Sequence, residues 1–175
     1  MITSKGIEAF LMRHPYKSVK VPETEETVSG TIMAEIFEEQ TKRGIIPSQF
    51  RFAHLVNERN KLLFFRPARA WASFLMEYHL YCLLRENGID VTYNLNEDFE
   101  KGVDFTIWVC GKTAKLHAYY STKSAEEWAR IKRKNRHKNE EIIEFPLYKE
   151  EARVVGNVHL YTLEHVRMLV RRFCP

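Results

Sequence analysis

The segment 102–138 constrains the fold more than any other part of the chain, because it predicts two adjacent strands followed at once by a helix. Its two runs, VDFTIWVC at 103–110 and KLHAYYST at 115–122, are rich in β-branched and aromatic residues. Gly111 and Lys112 between them predict a short hairpin turn, which pairs Asp104 with Tyr119 if the turn has two residues. Ser124 and Glu127 then have the spacing of a capping box, which predicts the start of a helix.

The helix expected after Ser124 carries a dense cluster of basic residues, although the net charge of the chain is only +4. We expect Trp128 and Ile131 to point inward and the basic side chains to face solvent. These basic residues are Arg130, Lys132, Arg133, Lys134 and Arg136. Such a cluster is either a solvated helix face or a surface that binds the phosphates of a nucleic acid, with DNA favoured over RNA.

The composition is that of a globular protein, with 175 residues, 45% of them hydrophobic and 13% aromatic. No apolar run reaches membrane-spanning length and the N-terminus lacks a secretory apolar region, so we expect no membrane association. Cys82, Cys110 and Cys174 are isolated in the sequence and form no CxxC pair. This pattern argues against a structural zinc site and favours a reducing compartment, which predicts a cytoplasmic protein.

The rest of the chain predicts mainly helices at the N-terminus and mixed elements after it. Residues 1–66 are expected to form a helical extension with helices at 2–14, 28–42 and 49–60, and this extension offers a surface for a homodimer or a protein partner. Residues 67–175 are expected to form the α/β core, packed with the extension into one unit. This core begins with a helix between Pro67 and Gly88, and continues with strands at 89–94, 142–145 and 157–161 and a last helix capped by Thr162.

Glu77 is the clearest functional candidate outside the central segment. It is the one formally charged residue between Ala70 and Leu84, in a helix that is apolar on nearly every side. A buried carboxylate is costly unless it has a partner. Glu77 is therefore expected to be a metal ligand, to form an internal salt bridge or to share a proton with a histidine.

The order of elements from Pro67 onward is helix, three strands, helix, strand and helix, which resembles the αβββαβ core of the PD-(D/E)xK nucleases, the restriction-endonuclease-like superfamily. The resemblance implies metal-dependent cleavage of phosphodiester bonds in DNA, with Mg²⁺ or Mn²⁺. It makes Asp104 the metal-binding acid of the second strand and Glu77 the acid of the first helix. Ser121-Thr122-Lys123 takes the position of the acid-x-Lys motif, so that Lys123 matches the catalytic lysine and Ser121 replaces the acid.

The missing strand acid leaves several alternatives open. Asp104 and Glu77 meet the minimum for Mg²⁺, which accepts one or two carboxylates together with phosphate and water. Glu126 or Glu127 in the next helix is an alternative, displaced acid, and Lys132 is an alternative to Lys123. If activity has been lost, the expected function is a nuclease-like module that binds nucleic acid, or a protein-interaction domain.

Overall fold

A computed structural model of the chain describes residues 1–25, 30–93, 103–135 and 142–174, without the side chains of Trp128 and 132–135. In chain order the helices are α1 (Ser4–Arg13), α2 (Thr31–Lys42), α3 (Gln49–Arg59), α4 (Phe65–Glu86), α5 (Lys123–Asn135) and α6 (Leu163–Phe173). The strands are β1 (Asp90–Tyr93), β2 (Phe105–Val109), β3 (Lys112–Tyr120), β4 (Ile142–Leu147), β5 (Arg153–Val155) and β6 (Val158–Leu160).

The main sheet is mixed and has the order β1-β2-β3-β4. Strands β1, β2 and β3 pair antiparallel along the chain, whereas β4 pairs parallel to β3. A parallel neighbour requires a crossover connection, and α5 lies within that connection. The prediction of an α/β fold is confirmed.

The predicted hairpin register is wrong by two residues. Val109 pairs with Lys112, so the turn consists of Cys110 and Gly111 rather than Gly111 and Lys112. Both turn residues have positive φ, 48° and 71°, as a two-residue turn of type I′ requires. Asp104, one step before the Phe105–Leu116 pair, therefore lies opposite His117 and not Tyr119. A shift of two residues keeps the same face, because side chains alternate with a period of two.

Helix α4 is buried between two hydrophobic cores, which explains why it is apolar on nearly every side. Trp71 and Leu75 pack into a core formed with the N-terminal helices and the β5–β6 hairpin. Met76, Leu80 and Leu84 pack into a second core formed with the main sheet and α6. The helix spans 22 residues and is followed by Gly88, whose φ of 76° is the left-handed conformation expected at a helix C-terminus.

Helix α5 begins differently from the prediction. The hydroxyl of Thr122, rather than that of Ser124, accepts a hydrogen bond from the Ala125 amide at 3.1 Å. Among the described side chains of this helix Ala129 is buried, whereas Ile131 is 39% exposed, so the expectation that Ile131 points inward is wrong.

Strand β4 continues through Pro146 instead of stopping before it. Pro146 pairs with Tyr119 of β3, and β4 is at the edge of the four-stranded sheet. An edge strand tolerates proline because the missing N–H is not needed by a further strand. The short strand β5 was not predicted, whereas α6 starts at the predicted cap, where Thr162 and His165 form a capping box.

The expectation that the cysteines are isolated is wrong for two of the three. Cys110 in the hairpin turn and Cys174 after α6 form a disulfide with their Cα atoms 5.9 Å apart. Cys82 is a buried free thiol, and burial raises its pKa to about 12. Within the described ranges, no helix has both the length and the apolar character needed to cross a membrane.

Candidate functional site

A cleft of about 280 Å³ lies where β2 and β3 meet α4 and the start of α2. The described residues lining it are Gly30, Ala34, Ala70, Ser73, Phe74, Glu77, Asp104, His117, Ala118 and Tyr119. The structure thus brings Glu77 and Asp104, which were selected from sequence, to one cleft. It adds His117 and Tyr119 of β3, which lie on the same face of the sheet as Asp104.

Asp104 is fixed by the backbone of β3. It is only 4% exposed, and its Oδ2 accepts the amide N–H of Ala118 at 2.5 Å. Its own amide donates to the carbonyl oxygen of Leu116 at 2.9 Å. One hydrogen bond fixes the carboxylate and the other fixes the backbone of Asp104, so the side chain is oriented before any ligand arrives.

Glu77 approaches the same place from the middle of α4. The phenol of Tyr161, which is almost fully buried, donates to the carbonyl oxygen of Phe145 at 2.6 Å. Burial first, and then the negative charges of Asp104 and Glu77, hold the pKa of Tyr161 well above its ordinary value. The negative charges of Glu77 and Asp104, which come from different elements, therefore both act on the phenol of Tyr161.

His117 is the functional candidate that the sequence analysis did not select. It is 5% exposed, and its Nδ1 lies 3.2 Å from Oε2 of Glu144 on the parallel neighbour β4. The two residues are direct partners in the β3–β4 ladder, and the ring of Tyr119 lies 5.0 Å from the imidazole. The β2–β3 register places His117 opposite Asp104, and the β3–β4 register places it beside Glu144.

Ser121 and Lys123 lie further along, at the junction of β3 and α5. The amide of Ser121 donates to the Leu147 carbonyl oxygen at 2.9 Å, and its hydroxyl donates to Glu126. Lys123 is the exposed first residue of α5. Neither is among the described residues lining the cleft, so the positions next to Asp104 are taken by His117 and Tyr119.

The basic residues selected from sequence follow along α5. Arg130 is exposed and lies 3.9 Å from Glu127, a separation at which a surface pair contributes little. Lys132, Arg133 and Lys134 belong to the same helix, but their side chains are outside what the structure describes, and Arg136 lies beyond the described residues altogether.

The donor set fits a hard divalent cation that completes its shell with water and phosphate oxygens. No group of three or more His, Cys, Asp or Glu residues close enough for one ion occurs in the described ranges. Mg²⁺ does not need such a group, because it is commonly held by one or two carboxylates, substrate phosphates and several waters. Asp104 and Glu77 are the residues that would hold it.

Comparisons of this chain with family models, with curated proteins and with solved structures found no match. Its function is therefore inferred from the geometry of the cleft and from the charge around it.

Proposed function

We propose that this chain is a metal-dependent endonuclease that hydrolyses phosphodiester bonds in DNA. The observation that carries the proposal is the meeting of Glu77 and Asp104, from a helix and a strand end, in one open cleft. Phosphodiester hydrolysis at neutral pH depends strongly on a divalent cation, and two carboxylates are sufficient to bind one together with phosphate and water.

The order and direction of the elements support the restriction-endonuclease-like core. Helix α4 is followed by three antiparallel strands, then by α5, then by β4 parallel to β3. Asp104 lies just before β2 and Glu77 on the preceding helix, which are the positions that the resemblance assigns to the two acids.

The proposed reaction is attack of a water oxygen on phosphorus, with cleavage of one phosphorus–oxygen ester bond, and the leaving oxygen takes a proton from solvent. A cation held by Asp104 and Glu77 would supply charge neutralisation and a more acidic water. His117 takes the proton of the attacking water. With Nδ1–H donated to Glu144, the acceptor nitrogen of His117 is Nε2, the one needed by a general base.

The basic residues of α5 hold the DNA backbone together with Arg136, which follows α5 in the sequence. Arg130, Lys132, Arg133, Lys134 and Arg136 gain affinity by releasing counterions from the phosphates. Replacement of the last four by alanine should flatten the dependence of affinity on salt, by about 0.9 in slope for each phosphate that the variant no longer neutralises. If the variant and the wild type have the same salt dependence, these four residues are not part of the DNA interface.

A nuclease-like module that binds nucleic acid without cleaving it is the second candidate. The observation that favours it is the pair of residues beside Asp104, because His117 and Tyr119 replace the acid and the lysine of an acid-x-Lys motif. In this case the electrostatic interface of α5 is retained and the cleft performs no chemistry.

A cleavage assay on supercoiled and single-stranded DNA with Mg²⁺ or Mn²⁺ tests the proposal. The wild-type protein should cleave DNA and the Asp104→Asn variant should not. The variant should bind DNA in chelator as tightly as the wild type or more tightly, because a negative charge near the phosphates is removed. Asp90→Asn is the matched control, since Asp90 is an exposed aspartate on β1 of the same sheet. It should cleave like the wild type.

His117→Ala and Glu144→Gln separate the proposed base from its partner. His117→Ala should lower the cleavage rate by about 100-fold or more, which is the usual contribution of a general base, and Glu144→Gln by less. Wild-type protein that binds DNA but leaves every substrate intact with both metals would establish the binding module instead.

A further inference from the structure

A second groove has a volume of about 570 Å³. It runs between the C-terminal half of α2 and the C-terminal half of α4, with β1 at one end. The described residues lining it are Met1, Ile2, Phe37, Glu38, Thr41, Lys42, Arg43, Gly44, Tyr78, Tyr81, Arg85 and Tyr93. We call it the tyrosine groove.

Aromatic rings form much of its wall. The rings of Tyr78 and Tyr81 are stacked with their centroids 5.6 Å apart, and Tyr78 meets Phe37 edge-on at 5.9 Å. All three tyrosines of the groove are only partly buried, so their rings are in part accessible to a ligand. Burial raises the pKa of Tyr78 to about 12, so this phenol is neutral and adds no negative charge to the groove.

The rim of the groove is positively charged. Arg85 lies over the ring of Tyr81, with its guanidinium carbon 5.5 Å from the ring centroid, and also donates to the Tyr81 hydroxyl. Lys42 and Arg43 form the opposite rim. Glu38 is the one acid among the described lining residues, and it is paired with Lys42 at 2.8 Å. The groove therefore combines π faces with excess positive charge.

A narrow apolar slot lies between the groove and the cleft and shares lining residues with each of them. The slot shares Phe37, Tyr78, Tyr81 and Tyr93 with the tyrosine groove. It shares Phe74 and Glu77 with the cleft. Tyr81 follows Glu77 by one helical turn, a rise of about 6 Å, so a ligand in the groove begins immediately beside the proposed metal ligand.

We propose that the tyrosine groove binds an unpaired nucleotide of the DNA strand whose phosphodiester lies in the cleft. The base packs on the tyrosine rings, and its phosphate pairs with Arg43 and Arg85. Aromatic platforms flanked by cations are the usual means by which proteins hold single-stranded DNA without reading its sequence. The proposal that the bound nucleotide is next to the cleaved phosphodiester rests on the proposed nuclease function. The affinity of the tyrosine groove for single-stranded DNA does not.

The first test compares binding of a blunt DNA duplex with binding of duplexes carrying a short single-stranded extension of either polarity, measured by fluorescence anisotropy in chelator. One extended duplex should bind about fivefold more tightly than the blunt one, the lower end of what a stacked base contributes. The double variant Arg43→Ala, Arg85→Ala should lose this preference and keep the affinity for blunt duplex.

The matched control is Arg51→Ala, Arg69→Ala, which removes the same charge from exposed arginines on α3 and at the distant start of α4. This variant should retain the preference. Equal affinity of the wild type for blunt and extended duplexes, or a preference that survives loss of both Arg43 and Arg85, would overturn the proposal.

The second test locates the base directly. Single-stranded DNA carrying 5-iodouracil is photo-crosslinked to the wild-type protein, and the modified peptide is identified by mass spectrometry. Crosslinks at Tyr78, Tyr81 or Tyr93 support the groove, and crosslinks confined to other segments refute it. Because both tests omit metal, a protein that passes them but never cleaves DNA refutes the nuclease proposal alone.

Discussion

Glu25 should be one of the residues on which the stability of α4 depends most. Its carboxylate is 8% exposed and accepts the backbone N–H groups of Phe64, Phe65 and Arg66 at 3.1, 2.9 and 2.8 Å. Its carbonyl oxygen accepts the guanidinium of Arg66 at 3.0 Å. Glu25 thus caps α4 from a distant segment, in the absence of a side-chain cap from Phe64.

The cost of removing this cap follows from its two parts. Loss of a capping acceptor costs about 1–2 kcal/mol. Loss of a negative charge at a helix N-terminus costs about 0.3–1 kcal/mol more. We therefore expect Glu25→Ala to lower the free energy of unfolding by about 1–3 kcal/mol. Glu25→Gln, which keeps an oxygen acceptor, should lose about 1 kcal/mol.

Urea unfolding followed by circular dichroism measures these losses. Glu23→Ala is the matched control, because Glu23 is an exposed glutamate two residues away and its loss should change stability by less than about 0.5 kcal/mol. If Glu25→Ala unfolds at the same urea concentration as Glu23→Ala, the interpretation of Glu25 as the cap of α4 is refuted.

Three further predictions concern other parts of the fold. The Cys110–Cys174 disulfide spans 64 residues, so its reduction or a Cys110→Ser change should cost about 4 kcal/mol in urea unfolding, and an unchanged midpoint in reductant would count against it. Burial lowers the pKa of His79 despite the opposing charge of Glu8, so the unfolded chain binds protons first as the pH falls. The free energy of unfolding should therefore decrease as the pH falls below about 6.5. His79→Gln should reduce this pH dependence by up to about 1.4 kcal/mol per pH unit. The same pH dependence in the wild type and in the variant would exclude His79 as the cause. A Cβ at Gly156, where φ is 53°, would lie 2.2 Å from the carbonyl oxygen of Leu11. Gly156→Ala should cost more than about 1 kcal/mol in thermal unfolding, and a neutral result would show that the backbone there can move.

The sequence predicted α4 and the strand pair well because their signals are local. Gly88 marks the end of α4, and the apolar surface of the helix indicates burial between two layers. The position of the hairpin turn was predicted less well. Cys110 adopts a φ of 48°, which is uncommon for a residue with a side chain, so a single glycine did not reveal which two residues form the turn.

The parts of the candidate site that the sequence did not predict depend on pairing between distant segments. His117 gains a role from Glu144, which is 27 residues away across the α5 crossover. The disulfide likewise joins a hairpin turn to the end of α6. Ile131 is exposed and Ala129 is buried, because helical spacing alone does not identify which side of α5 is covered. These are tertiary effects, and no local pattern in the sequence contains them.

The central claim is that Glu77 and Asp104 bind one divalent cation together, and Mn²⁺ binding followed by electron paramagnetic resonance tests it most directly. The measurement uses wild-type protein with a phosphorothioate DNA that resists cleavage. One Mn²⁺ should bind per protein, and Glu77→Gln and Asp104→Asn should each weaken it by at least about tenfold, since each removes a charged ligand. Glu35→Gln and Asp90→Asn, which alter exposed acids elsewhere, should bind Mn²⁺ like the wild type. Equal Mn²⁺ affinity in the wild type and in both cleft variants would contradict the account.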